Sequence, residues 1–248
     1  MRTIKLQEDN NILGDNACYN IKMFQLSDRW KKLYPNAHAG VLVMREVINP
    51  PHHAELEKRK SALEEELRVR FAGQDRTALL SHPILQAYEA YYRQFKKTYH
   101  VQLQLESIIF KGKSIPSVAA LVEAMFMAEM NDLLLTAGHD LDFVRLPMTL
   151  DAAQGNETYM LLRGELKTPK AGDMMIRDGE GIISSIIYGP DQRTQITAQT
   201  RNVIFTTYAP AGISEEATMN HLKEIRRNIE LIAPNAKIEL LKVFSADE

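Results

Sequence analysis

Few side chains in this 248-residue sequence are of the types, and at the spacings, that carry chemistry. His139-Asp140 sets an imidazole, which titrates near neutrality, next to a carboxylate. Such a pair could orient a water as general base and partner. Equally, Asp140 could cap local backbone while His139 satisfies a carbonyl. Asp191 and Arg193 follow a Gly189-Pro190 turn. Arg193 could clamp a carboxylate or phosphate with two parallel hydrogen bonds, or lock the turn by pairing with Asp191. Thr197, Thr200, Thr206 and Thr207 place hydroxyls on and around one apolar segment, although strand propensity alone also accounts for threonine there. Glu106 offers a further carboxylate on a helix, where a solvated face is the plainer reading. His139 and Asp140 are thus the catalytic candidates, and Arg193, Asp191, Thr197, Thr206 and Glu106 the substrate-binding ones.

Other chemistries leave no trace. No G-x-G-x-x-G follows a strand, and there is no phosphate loop, H-E-x-x-H, paired C-x-x-C or G-x-S-x-G. Cys18 is the only cysteine, so no intrachain disulfide can form, and His52-His53 reads as a solvated helix entry. No metal and no cofactor is expected. The formal net charge is −2, and the short basic clusters Lys58-Arg59-Lys60, Lys96-Lys97 and Arg226-Arg227 are dispersed. Any RNA contact is therefore expected to be local or salt-sensitive, and DNA is not an expected partner. Apolar runs fall well short of the roughly 20 residues a bilayer requires, so no membrane span is expected. Met1-Arg2-Thr3-Ile4-Lys5 leads into polar residues without an apolar signal region, which makes the cytoplasm the expected location.

The elements that must position these side chains read as follows. Ile21–Leu26 and Gly40–Ile48 are strand-like. Ala54–Phe71 keeps Leu56, Leu63, Leu67 and Phe71 on one helical face, with Gly73 closing it. Ser81 is a candidate N-cap with Pro83 just inside a helix carrying Leu85, Tyr88, Tyr92 and Phe95. Leu103–Phe110 is a short helix stopped by Gly112. Ser117 is a candidate cap for Val118–Leu135, a helix apolar around most of its circumference and so expected at the centre of the fold. Thr158–Arg163, Asp173–Arg177, Ile182–Tyr188 and Val203–Tyr208 are short strands, with a hairpin signal at Asp178-Gly179-Glu180-Gly181. Ser214 caps a last amphipathic helix, and Ile238–Phe244 is a last strand. Helices first and strands later predict an α+β fold, with a central buried helix packed on mixed or antiparallel sheet.

From Ile84 to Tyr208 a run of segments carries a family resemblance: Ala87-Tyr88-Glu89-Ala90-Tyr91-Tyr92, Leu105-Glu106-Ser107-Ile108-Ile109, Gly112-Lys113-Ser114-Ile115-Pro116-Ser117 and Gly138-His139-Asp140-Leu141-Asp142. Ala171-Gly172-Asp173, Arg177-Asp178 and Tyr188-Gly189-Pro190-Asp191-Gln192-Arg193-Thr194-Gln195-Ile196-Thr197 continue the order. Together they resemble the B3/B4 module of phenylalanyl-tRNA synthetase β chains and its free-standing relatives. The resemblance implies a cleft between two halves of the module, tRNA binding, and hydrolysis of mischarged tRNA, chiefly tyrosine on the phenylalanine tRNA. Where that module reads V-D-x-x-N this chain has Val122-Glu123-Ala124-Met125-Phe126. Its P-L-H-A-F-D corresponds to Leu135-Thr136-Ala137-Gly138-His139-Asp140, and its tyrosine-reading Glu to Thr206.

Residues 1–80 are expected to add N-terminal strands and an amphipathic helix to a B3/B4-like region at 81–248, one structural unit overall. The functional expectation is a B3/B4-type tRNA-binding protein acting in trans as an editing hydrolase of aminoacyl-tRNA. The alternatives are a non-catalytic binding module for an amino acid or similar small polar ligand, and a hydrolase of a small amide or ester.

Overall fold

The computed structural model describes residues 23–246. Cys18 and the start of the expected Ile21–Leu26 strand lie outside the described residues. Eight-residue β2 (His38–Arg45) is the spine of a four-stranded antiparallel sheet that also contains β3 (Leu135–Asp140), β10 (Asn202–Ala209) and β11 (Lys237–Ser245), in the order β11-β2-β10-β3. Ala39–Met44 is buried throughout because both faces of the sheet are covered. On one face lies α7 (Glu215–Ile232), which turns Leu222, Ile225, Ile229 and Ile232 inward. Gly40 permits this approach, since a Cβ there would stand 2.9 Å from Thr218 Cγ2 of α7.

Facing the sheet's other side is a mixed five-stranded sheet built from β1 (Phe24–Leu26), β4 (Met148–Ala152), β7 (Met174–Arg177), β8 (Ile182–Ser185) and β9 (Gly189–Pro190). β1 runs parallel to β4 and the remaining pairs are antiparallel. A two-stranded ribbon, β5 (Tyr159–Met160) with β6 (Leu166–Lys167), stands beside it. Tyr208 Oη and Ser184 Oγ, 2.6 Å apart, join the two sheets. The helices are α1 (Asp28–Leu33), α2 (Ala54–Arg70), α3 (Arg76–Leu80), α4 (Pro83–Gln94), α5 (His100–Lys111) and α6 (Ala120–Asp132), besides α7. Three tyrosines on and just after α4 replace missing backbone partners elsewhere: Leu135 N donates to Tyr88 Oη at 2.8 Å, Tyr92 Oη to Ile186 O at 2.8 Å, and Tyr99 Oη to Leu133 O at 2.9 Å. Tyr88 and Tyr99 stack with ring centroids 4.1 Å apart.

The fold is α+β, as the element order predicts, but several boundaries move. The buried central helix is Ala120–Asp132 rather than Val118–Leu135, and it packs among α2, α5, α7 and β3. Ser117 does not cap it; its hydroxyl instead accepts a bond from Lys60 Nζ at 2.8 Å. The open N–H groups go to carboxylate and amide oxygens: Val118 N to Glu123 Oε1 at 2.8 Å and Leu121 N to Asn49 Oδ1 at 2.9 Å. Leu133, at φ 64, turns the chain out of α6, so that Ala137–Asp140 is a strand, not the tail of a helix. Ser81 closes the short α3, whose own cap is Asp75, and His82 stands before Pro83 at the start of α4. The expected Thr158–Arg163 strand shrinks to the ribbon strand β5. No helix among the described residues is long and apolar enough to cross a membrane.

Candidate functional site

β3 is an edge strand, and a cleft of about 340 Å³ opens between its free edge, α6 and the β8–β9 end of the mixed sheet. Its walls are largely apolar, with Val122, Met125 and Phe126 from α6 opposite Ile186, Pro190 and Ile196. The polar lining is sparse: Glu129, Ser185, Gln195, His100, Tyr208 and the edge of β3 from Leu135 to Gly138. Among the described residues no Lys or Arg lines it.

The edge of β3 supplies directional groups. Thr136 N donates to Glu129 Oε1 at 2.8 Å, and Asp140 N donates to Thr194 O at 2.8 Å. Alternate residues of an antiparallel strand point their N–H the same way, so Gly138 N–H also faces outward, between these two satisfied donors, into the cleft. A side chain at Gly138 would crowd the site: its Cβ would lie 2.9 Å from Ile196 Cδ1 and 3.0 Å from Phe205 Cε1.

Electrostatics in the cleft centre on Glu129. It is buried on α6, and desolvation pushes its carboxyl up to about 8, against the lowering effect of the Thr136 N–H. At the rim, His100 Nδ1 lies 3.2 Å from Tyr92 Oη. The Tyr92 hydroxyl proton is committed to Ile186 O, so in the neutral imidazole Nδ1 carries the proton and Nε2 the lone pair. Ser185 Oγ accepts from Tyr188 N at 3.1 Å. Just before β7 of the mixed sheet, Asp173 is fully buried, takes a bond from Tyr91 Oη at 2.8 Å and is pushed up to about 7 by desolvation.

None of the seven residues singled out from the sequence lines this cleft. His139, Asp140 and Asp191 do come together, around Thr194 and Thr200. His139 is fully buried, and its Nδ1 lies 2.7 Å from Thr194 Oγ1. Thr194 Oγ1 in turn donates to Asp191 Oδ1, so His139 Nδ1–H is the donor to Thr194, and Nε2 is left without a partner. Burial lowers this imidazole to about 3. Asp140 accepts from Asp142 N at 3.1 Å and from Thr200 Oγ1 at 2.6 Å. Thr197 Oγ1 caps the same loop by accepting from Gln199 N at 3.3 Å. Arg193 spans outward, donating to Phe143 O at 2.6 Å and to Asp178 Oδ2 at 2.8 Å, with Asp191 only 3.8 Å away. Thr206 is buried in β10, where its hydroxyl donates to Ala137 O at 3.4 Å. Glu106 stands apart on α5, accepting from Arg76 Nε at 3.0 Å and Gln102 Nε2 at 2.7 Å.

On the helix-bearing face of the sheet, His221 Nε2 lies 2.7 Å from Thr136 Oγ1, and its Nδ1 lies 3.1 Å from Asp132 Oδ2. This buried chain pins α7 to β3 from behind the cleft.

A B3/4 domain family model matches residues 85–244, from α4 to the last strand. The chain belongs to the B3/4 domain family. Among solved structures it is similar to an N-terminal fragment of the phenylalanyl-tRNA synthetase beta-subunit from Pyrococcus horikoshii, at 12% identity and a TM-score of 0.45. The alignment covers 96% of this chain and 53% of that one, so the chain spans about half the length of that fragment. No curated protein matches.

Within this B3/4 chain, sequence reasoning passed over Glu129, Gly138, Gln195 and His100. Glu129 did leave a signal, as one of only two carboxylates inside the helical stretch Leu121–Met130. Gly138 and Gln195 sit inside the segments that carry the family resemblance. His100 left none, because its value comes from a tyrosine eight residues away that fixes its tautomer.

Proposed function

We propose that this B3/4 protein takes the aminoacyl end of a charged tRNA into the cleft beside β3 and hydrolyses the ester. The observation that carries the reading is the charge of the lining: among the described residues it has one carboxyl and no Lys or Arg. A free amino acid would bring its carboxylate to a wall without a cation, and desolvating it there is costly. An ester brings only a carbonyl, whose oxygen can meet the outward N–H of Gly138. The apolar wall of Met125, Phe126 and Ile186 suits the amino-acid side chain.

Such a site needs no strong nucleophile, because an aminoacyl ester is already labile. A water attacks the ester carbonyl carbon and gives its proton to His100 Nε2. The bond to the ribose oxygen then breaks, and that oxygen leaves with the proton from His100. Gly138 N–H steadies the oxyanion between these events. His139, Asp140, Asp191 and Thr197 act through the 191–200 loop, which carries Gln195 and Ile196 to the cleft, and Arg193 braces that loop from outside. Thr206 carries no carboxylate, so it cannot itself make the tyrosine-reading contact that the resemblance implies.

The test is deacylation of a panel of mischarged tRNAs by the full chain and by His100→Gln. Turnover of at least one charged tRNA, slowed roughly 10²-fold or more in the variant, supports the reading. No turnover, together with stabilisation by free amino acids, favours the non-catalytic binding module.

A further inference from the structure

The cleft holds a carboxyl that no cationic side chain among the described residues pairs with. Glu129 is 2% exposed, lines the cleft, and makes one hydrogen bond, from Thr136 N at 2.8 Å. Among the described residues no Lys, Arg or His forms an ion pair with it. The groups around it are neutral in the physiological range: Tyr88 and Tyr92 from α4, Tyr99 before α5, and Tyr208 on β10, all with hydroxyls raised by burial. His100, at the start of α5, turns an Nε2 lone pair outward in its neutral form, and His221 of α7 lies one hydrogen bond further on, through Thr136. A buried acid facing a cavity among acceptors is satisfied best by a cation that brings its own N–H donors.

We propose that Glu129 is the anchor for a free, protonated amino group, so that the cleft accepts aminoacyl esters with an unblocked α-amine and rejects N-acylated ones. This rests on the aminoacyl reading of the cleft and adds to it a selection that reading does not contain: aminoacyl groups enter, peptidyl and formylated groups do not. An acylated nitrogen carries no charge and a single N–H, and it would leave the carboxyl facing an added carbonyl oxygen. The empty site holds its proton up to about 8. Docking an ammonium group against it therefore expels that proton.

The experiment uses the full chain with L-phenylalaninamide, L-leucinamide and L-methioninamide, each against its N-acetyl form, by titration calorimetry. At least one free-amine amide should bind about tenfold or more tightly than its acetylated partner, as a charge-assisted contact is worth. Glu129→Gln should bring the two within about threefold of each other. Titrations at about pH 6.5 in two buffers of different ionisation enthalpy should show release of about one proton, since the α-amine is already protonated there. That readout needs no variant and stands if Glu129→Gln fails to fold. Equal binding of free and acetylated amides, or no proton release, overturns the Glu129 assignment while leaving the cleft reading in place. Binding of neither form overturns both.

Discussion

Glu129 Oε1 accepts the main-chain N–H of Thr136 at 2.8 Å, so one carboxyl ties the last turn of α6 to the edge of β3. The strand, the helix and the cleft between them are therefore coupled through a group whose charge depends on pH.

Glu129 is raised from 4.5 to about 8 in the folded protein, and Asp173 from 3.8 to about 7. Both hold a proton more tightly folded than unfolded. Their contribution to stability is complete below about pH 4 and is lost as pH rises through 7 and 8. Glu129→Gln and Asp173→Asn should each flatten the fall in melting temperature over that window. A pH profile parallel to that of the parent would refute the assignment.

His139 behaves in the opposite sense. Its imidazole is lowered from 6.5 to about 3, so the folded state resists protonation and stability drops as pH falls from 6.5 toward 3. His139→Ala removes a buried ring and its bond to Thr194, and should cost about 2–4 kcal/mol in chemical denaturation. Deacylation per folded molecule should stay within about threefold of the parent, far from the loss typical of a general base. A drop of 10²-fold or more at unchanged stability would return His139 to the chemistry.

Gly138→Ala should close the cleft. The added methyl would stand 2.9 Å from Ile196 Cδ1, and Ile196 is part of the lining. Overpacking of this kind costs about 1–3 kcal/mol, so the variant should fold while its binding of amino-acid amides weakens. Unchanged affinity would mean that Ile196 does not border the occupied space.

Lys60 Nζ lies 2.9 Å from Glu123 Oε2, a pair buried between α2 and α6. Lys60→Met would strand the Glu123 carboxylate and should cost about 3–5 kcal/mol. Adding Glu123→Gln should recover part of that, because the neutral amide can still accept from Val118 N. If the double variant is no more stable than the single one, the charge is not the source of the loss.

Local signals in the chain carry much of this architecture. Leu222, Ile225, Ile229 and Ile232 recur at helical spacing behind Ser214, whose hydroxyl accepts from Ala217 N at 3.1 Å; every part of that cap lies within a few residues. Gly112 stops α5 at φ 64, a conformation that glycine adopts without a Cβ penalty. The segments from Ile84 to Tyr208 likewise carried the family, because turns and short strands leave their composition in order along the chain. The α+β class, the buried helix and the membership of the B3/4 family were all legible in this way. Tertiary structure alone placed the cleft and the groups that line it. The pair that looked most chemical, His139-Asp140, is divided by strand alternation, each side chain spent on a different hydroxyl of the 191–200 loop. The groups that do meet at the cleft come from α6, β3, α5 and the 191–200 loop. Glu129 gains its raised pKa from desolvation and His100 its tautomer from Tyr92, and neither burial nor a partner across the fold is written in the spacing of neighbouring residues.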